Sequence, residues 1–280
     1  MCAMPPRLNV FFMILSGLGV VFLLFYSFDK SHYLFVDSIL NFGHVPLFSF
    51  IAAMVLWALD WRNWPKTTTR NYILAGAVTG ALSLLTEALQ QLTPDRSFQV
   101  GDIIHDLVGS TIFLLIAYQY KRNLSQKTKM GMTIIACFLV LCACLPVFAA
   151  ALDEFRSKRD FPLLASFETR CEMKRWKIDD EHTRFPSHAT QGTRSLKVEL
   201  HLRLYPGVSF NHPPRDWRGY DMLTFDVSLE GAVPLPLTVR INDLAHNEEY
   251  GDRYNRTFTL QPGPNQLSIS LSEVEHAPKG

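Results

Sequence analysis

Five long apolar runs, separated by short charged loops, fill the first half of the chain: residues 8–26, 44–59, 72–89, 103–120 and 133–152. Each is near the length a helix needs to cross the hydrocarbon of a bilayer. The first is longer than a signal-peptide core and no A-x-A pattern follows it, so it reads as a retained anchor. Beyond residue 160 the pattern changes to strict alternation. Leu196, Val198, Leu200, Leu202 and Leu204 alternate with polar residues, as do Leu223, Phe225, Val227 and Leu229. Leu235, Leu237, Val239 and Ile241 repeat the pattern, followed by Leu267, Ile269 and Leu271. A period of two means strands with one buried face. Turn signals separate them at Tyr205-Pro206-Gly207, Pro213-Pro214, Gly231 and Pro262-Gly263-Pro264, and no helix is predicted there. The predicted fold is a membrane α-helical bundle of five transmembrane helices (1–152), a charged linker (153–160), and an all-β antiparallel sandwich (161–280).

Charge supports this division. Residues 1–150 hold 10 Lys/Arg and 7 Asp/Glu, whereas residues 151–280 hold 17 and 19. A single soluble globule does not partition charge this way. The net charge of +1 argues against a nucleic-acid binder. Of five cysteines, only Cys171 lies in the charged half, so that half forms no internal disulfide. No paired C-x-x-C spacing points to a metal, and no cofactor is implied.

Loop charge orients the helices. Arg62, Lys66 and Arg70 follow the second segment, and Lys121, Arg122, Lys127 and Lys129 follow the fourth. Only Lys30 and Arg96 mark the other two loops. The rich loops are expected on the cytoplasmic side, with Arg7 and the N-terminus. Five crossings then leave the C-terminal half outside. Trp57, Trp61 and Trp64 sit at the expected cytoplasmic boundary, where interfacial tryptophans belong.

On this topology the costly residues share the outer face. His44 opens the second helix, with Asn41 one turn earlier; Glu87 and Gln90 close the third; Arg96 lies in the short loop. Asp102, His105, Asp106 and Gly109 open the fourth helix along one stripe. Ionisable groups in spanning segments usually face a bundle interior or a wet cavity.

The run Glu87, Gln90, Arg96, Asp102, Asp106 and Gly109 resembles the signature of VanZ-like membrane proteins over residues 8–120: a Glu, a Gln three later, a loop Arg, then Asp-x-x-x-Asn-x-x-Gly. His44 matches the family's His at the start of the preceding helix. Asp106 stands where the family usually has Asn, and the family's Asp-Lys before the His is absent, Asp37 lying seven residues before His44. The resemblance implies a bacterial envelope protein. The family's namesake is associated with resistance to the glycopeptide teicoplanin. It attaches no reaction. Two readings stand. Glu87, Asp102 and His44 form an acid/base cluster, with Arg96 binding an anion such as a lipid phosphate; or Glu87, Arg96 and Asp102 form an ion network that closes the bundle. Gln90 and Asp106 would line the same site.

The second half resembles jelly-roll, carbohydrate-binding-like domains of the galactose-binding type over residues 161–280. The resemblance rests on Ser166-Phe167-Glu168, Trp176, Gly192-x-x-Ser195-Leu196-Lys197-Val198, Asp216-Trp217-x-x-Tyr220-Asp221-x-Leu223, and the stretch from Ile241-Asn242-Asp243 to Asp252-Arg253-Tyr254-Asn255. Such domains finish with a further strand, so the expectation is either a fragment, truncated before the last strand, or a sandwich that lacks its closing strand. Sugar recognition uses flat aromatic faces flanked by polar groups. Trp217, Tyr220, Tyr250 and Tyr254 are candidate platforms, with Asp243, His246 and Arg253 as hydrogen-bonding partners. Expected partners are the lipid bilayer and an envelope glycan or its lipid-linked precursor.

Overall fold

The computed structural model describes residues 33–60, 68–92, 99–178, 180–204, 206–243, 246–247 and 249–278. The chain divides into two units, Met1–Arg159 and Asp160–Gly280. The apolar run 8–26 and the side chains of Trp61, Trp64 and Arg96 lie outside the described residues.

The first unit is helical: α1 Leu34–Phe42, α2 His44–Asp60, α3 Thr69–Gln90, α4 Val100–Lys121 and α5 Gln126–Asp160. Among the described residues four stretches are long and apolar enough to cross a membrane: Leu34–Asp60, Thr69–Gln90, Val100–Lys121 and Gln126–Asp160. Two boundaries differ from the sequence reading. The span expected to start at His44 is preceded by α1, broken from α2 at Gly43. Pro46 explains the break: it has no N–H for the Phe42 carbonyl, and its ring is tolerated only in a helix's first turn. The expected linker 153–160 is instead the end of α5, its charges still on helical spacing, with Lys158 Nζ 2.7 Å from Glu154 Oε1.

The bundle is polar inside and apolar outside. Thr79, Ser83, Glu87 and Asp106 are at most 2% exposed, whereas Leu84, Leu85, Ile104 and Phe148 are each more than half exposed. Water would not favour that arrangement; lipid does. Apolar contacts fill the rest. Val45, Ile112 and Ala143 pack together with Phe42, Val108 and Leu139, and Leu56, Tyr72 and Ala75 form a second cluster towards the other end. α5 buries only Ala136, Ala143, Ala150 and Asp153. The three alanines recur every seven residues, which lets one face of a long helix lie close to its neighbours.

Among its described residues the second unit contains eight strands: β1 Trp176–Ile178, β2 Glu181–Phe185, β3 Ser195–Glu199, β4 Val208–Phe210, β5 Met222–Leu229, β6 Leu235–Ile241, β7 Tyr254–Leu260 and β8 Gly263–Ser270. They pair antiparallel as β1·β4, β2·β3, β5·β8 and β6·β7, four two-stranded sheets rather than a closed sandwich. Each of the two sets is nested, one hairpin lying within the sequence span of an outer pair. Alternation reads correctly in β5, where Leu223, Phe225, Val227 and Leu229 turn inward and the residues between are exposed. It fails after Glu199. Leu202 and Leu204 are exposed and carry no strand. The ladder ends there because Glu199 already pairs with Glu181, the first residue of β2. Asp180 instead holds the segment, through Arg203 Nη2 at 2.8 Å and His201 Nδ1 at 3.5 Å.

The expected absence of helix is corrected by a 3-10 turn, Glu172–Arg175, and a short helix, α6 Leu271–Glu275. Leu271, expected in the last strand, begins α6 instead: β8 ends at Ser270, opposite the first residue of β5, and the Leu271 N–H makes one more bond, to Asp221 O at 2.9 Å, as the chain turns helical. β7 has no counterpart in the alternation read from the sequence, and it buries Tyr254, which is therefore no exposed platform for a sugar. Only Tyr254 and Leu260 are fully buried along it, so its apolar period is weak.

Candidate functional site

Three helices bring the acidic residues and His44 to one end of the bundle. Asp106, one turn into α4, is 1% exposed. Its Oδ1 lies 2.9 Å from His44 Nδ1, at the start of α2. Its Oδ2 accepts from the Ser83 hydroxyl of α3 at 2.7 Å. An ionised carboxylate can only accept, so in that state His44 carries its proton on Nδ1. Nε2 is then turned towards Asp102, whose Oδ2 lies 3.9 Å away. His44 and Asp102 are each 13% exposed, so this side of the imidazole is the more open one. Glu87 is 2% exposed, and its Oε2 accepts the Gln99 backbone N–H at 2.9 Å, tying the end of α3 to the start of α4. Gln90 is buried one turn further along α3. The expected hub, Arg96, lies outside the described residues.

A close helix contact holds this geometry. A β-carbon at Gly109 would overlap the Val45 carbonyl oxygen, so α4 can approach α2 only without a side chain there. Ser49 Oγ lies 2.8 Å from Val45 O and 2.7 Å from Gly109 O, and its single proton serves either carbonyl across the contact. His105 is half-buried on a different side of α4, with Nδ1 buried and lacking a hydrogen-bond partner among the described residues. It does not join His44 in any described hydrogen bond. Asn41 is exposed on α1.

Ser83 was missed by sequence reasoning. Its signal was present: Thr79, Ser83, Glu87 and Gln90 recur at helical spacing, and all four are buried. The α3 stripe is polar where a lipid-facing stripe would be apolar. Among the described residues no three His, Cys, Asp or Glu side chains are placed to hold a metal ion.

In the second unit the candidate sugar-binding residues separate into two places. The Trp217 indole N–H donates to Pro214 O at 2.7 Å, and the ring is half-buried, so its polar edge is committed to its own turn. Tyr220 is 41% exposed and meets Phe161 edge-on at 5.1 Å. Next to Trp217, Arg218 clamps Asp216 and holds its carboxyl down to about 2, through side-chain and backbone hydrogen bonds. In the loop between β6 and β7, Tyr250 is 72% exposed, with the Arg253 guanidinium 5.1 Å from its ring centre. His246 Nδ1 donates to Asp252 O at 2.7 Å, and Asp252 Oδ2 accepts the Asn247 N–H at 2.9 Å. Asp243 is exposed at the start of that loop.

The motif residues 166–168 are structural. Glu168 accepts from the Thr193 N–H at 2.6 Å and the Arg194 N–H at 3.0 Å, closing the turn before β3 at Gly192, whose φ is +77°. Those bonds, Thr193's first, hold the Glu168 carboxyl below its ordinary value. Trp176 stacks on Phe210, its partner across β1·β4, with ring centres 4.4 Å apart, and serves the core. No protein-family model matches the chain, and neither a curated protein nor a solved structure matches it.

Proposed function

We propose that the chain is a VanZ-like protein of the bacterial cytoplasmic membrane that binds cell-envelope glycans or their lipid-linked precursors. Its N-terminus is cytoplasmic, five helices cross, and the β-rich unit lies outside as a carbohydrate-binding-like sandwich made from the two nested strand sets. The observation that supports a role beyond anchoring is the convergence of His44, Asp102 and Asp106 with Glu87 at one end of a bundle whose outer surface is apolar. Burying such groups is costly, and an anchor has no need of them. Carboxylates and imidazole are also the acceptors that sugar hydroxyls seek. Tyr250, with Arg253 against its ring, offers an exposed flat face of the kind sugars stack on.

A second reading is an intramembrane enzyme or transporter that takes a lipid-linked phosphate through Glu87, Arg96 and Asp102. The placement of His44 between Asp102 and Asp106 favours it, since one carboxylate orients the ring while Nε2 is left to exchange a proton. A binding screen of the detergent-solubilised full chain against envelope glycans and lipid-linked precursors tests both readings. Loss of binding in Tyr250→Ala with Asp102→Asn still binding assigns recognition to the outer unit. Loss in Asp102→Asn and Glu87→Gln, with both variants folded, assigns it to the bundle. No binding by the parent chain overturns the proposal.

A further inference from the structure

The opposite end of the bundle carries a feature that the acid cluster does not explain. A groove of about 250 Å³ runs beside α3 and α4, lined by Tyr72, Ile73, Leu114, Leu115, Tyr118 and Met132, the last from α5. Its walls are almost wholly apolar, and its far end is closed by polar groups. Thr69 lines it at the start of α3. Arg122, the residue after α4, donates from Nη2 to Thr69 Oγ1 at 3.1 Å, and its guanidinium carbon lies 5.8 Å from the Tyr118 ring centre. The Tyr118 hydroxyl is 3.4 Å from the same threonine oxygen. Arg122 Nε is buried with no hydrogen-bond partner among the described residues.

We propose that this groove is a binding site for one anionic phospholipid, its acyl chain lying along α3 and α4 and its phosphate meeting Arg122, Thr69 and Tyr118. Three features distinguish it from ordinary lipid-facing surface. It is a shallow open groove walled by side chains of three helices. Its polar mouth holds a guanidinium with unused donors, the group best suited to a phosphate. The charge around the mouth has one sign: residues 68–73 and 118–132 carry Arg70, Lys121, Arg122, Lys127 and Lys129 and no acid. The carboxylate at that end, Asp60, is fully buried, bonded by Asn71 and faced by Lys121, which leaves Arg70, Arg122, Lys127 and Lys129 as the positive charge around the mouth. A zwitterionic headgroup gains little from such a mouth, and an anionic one gains from each nearby cation.

The test uses the full chain, purified and delipidated in mild detergent, then supplied with phosphatidylglycerol or phosphatidylethanolamine bearing the same acyl chains. Retained lipid is counted by native mass spectrometry. The expected result is one retained phosphatidylglycerol per chain, several-fold preferred over phosphatidylethanolamine. Arg122→Gln should abolish the preference while leaving weak retention of both lipids. Ile73→Trp, which fills the groove from an exposed position, should lower retention of both. Equal retention of the two lipids by the parent chain overturns the proposal. So does phosphatidylglycerol retention undiminished by Ile73→Trp, a variant that decides the matter even if Arg122→Gln fails to fold.

Discussion

Gly109 of α4 rests directly on the backbone of Val45 in α2: a β-carbon at position 109 would overlap the Val45 carbonyl oxygen and lie 3.0 Å from its Cα. The obstacle is backbone on a packed helix, which cannot turn aside as a flexible side chain would. Gly109→Ala is therefore expected to push α4 off α2 and destabilise the bundle by about 1–3 kcal/mol, the usual cost of overpacking. A β-carbon at Gly131 of α5 would meet nothing within 4 Å. Gly131→Ala should leave the thermal midpoint in detergent unchanged or raise it, since alanine suits a helix better. Equal melting of Gly109→Ala and the parent chain would show that the contact carries no stability.

The same helix contact sets the His44–Asp106 pair. Asp106→Ala leaves the His44 ring N–H and the Ser83 hydroxyl without their acceptor in a buried site, at about 1–3 kcal/mol for each group left unsatisfied. Asp106→Asn keeps one oxygen and should cost less. Ser83→Ala removes one donor from a carboxylate that retains His44, and should be the mildest of the three. Thermal unfolding of the full chain in one detergent checks the order Ala > Asn > Ser83→Ala. An Asn variant as damaging as the Ala variant would mean that charge, rather than hydrogen bonding, holds the site together.

Much of this arrangement was legible in the sequence, because the spacing of Asp102, Asp106 and Gly109 is a property of one helix. The pairing of Asp106 with Ser83 was not, since it depends on how α3 and α4 rotate against each other. The break before His44 follows from Pro46, yet an apolar run gives no sign of whether a helix continues across a glycine. In the second unit, alternation identified β5, β6 and most of β8, where cross-strand partners exist along the whole run. It overextended β3 to residue 204, because alternation states which face could be buried and not whether a neighbouring strand is there to pair. β7 was passed over for the opposite reason: it pairs along its full length with β6 while showing little apolar period of its own.

Glu168 gives the second unit an acid-sensitive clasp. Its carboxylate accepts from Thr193 and Arg194, which lowers its folded pKa below the ordinary glutamate value. A depressed folded pKa means the contribution is complete above the unfolded value and lost as pH falls through the lower, folded one. Stability of the second unit should therefore decline on the acid side of the ordinary glutamate range. Glu168→Gln should remove that part of the decline and lower stability at neutral pH. The carboxylate is exposed, so the effect is a small one. Circular dichroism of the full chain's β signal, melted across an acidic pH series, checks it. Parallel pH curves for the two chains would exclude Glu168 as the titrating group.

Sidedness is open to direct measurement. The proposed topology has Lys66 and Lys127 in the cytoplasm, because short basic loops resist translocation while a loop holding only Arg96 does not. The helices Leu34–Asp60, Thr69–Gln90, Val100–Lys121 and Gln126–Asp160 supply four crossings, and four alone would return the chain to the side on which it began. On the proposed topology the apolar run 8–26 makes a fifth, and the β-rich unit lies across the membrane from the N-terminus. A reporter fused after Gly280 should therefore be active outside, and reporters at Lys66 and Lys127 inside. Arg156, Lys158 and Arg159 sit at the end of α5 that would then face outward, and Lys158 is already neutralised by Glu154 at 2.7 Å. Their retention outside is the point on which charge and parity disagree. Deleting residues 8–26 should reverse only the parity term. A C-terminal reporter that stays external after that deletion would show that the loops, rather than the number of crossings, set the orientation. A C-terminal reporter active only in the cytoplasm of the full chain would mean that residues 8–26 do not cross.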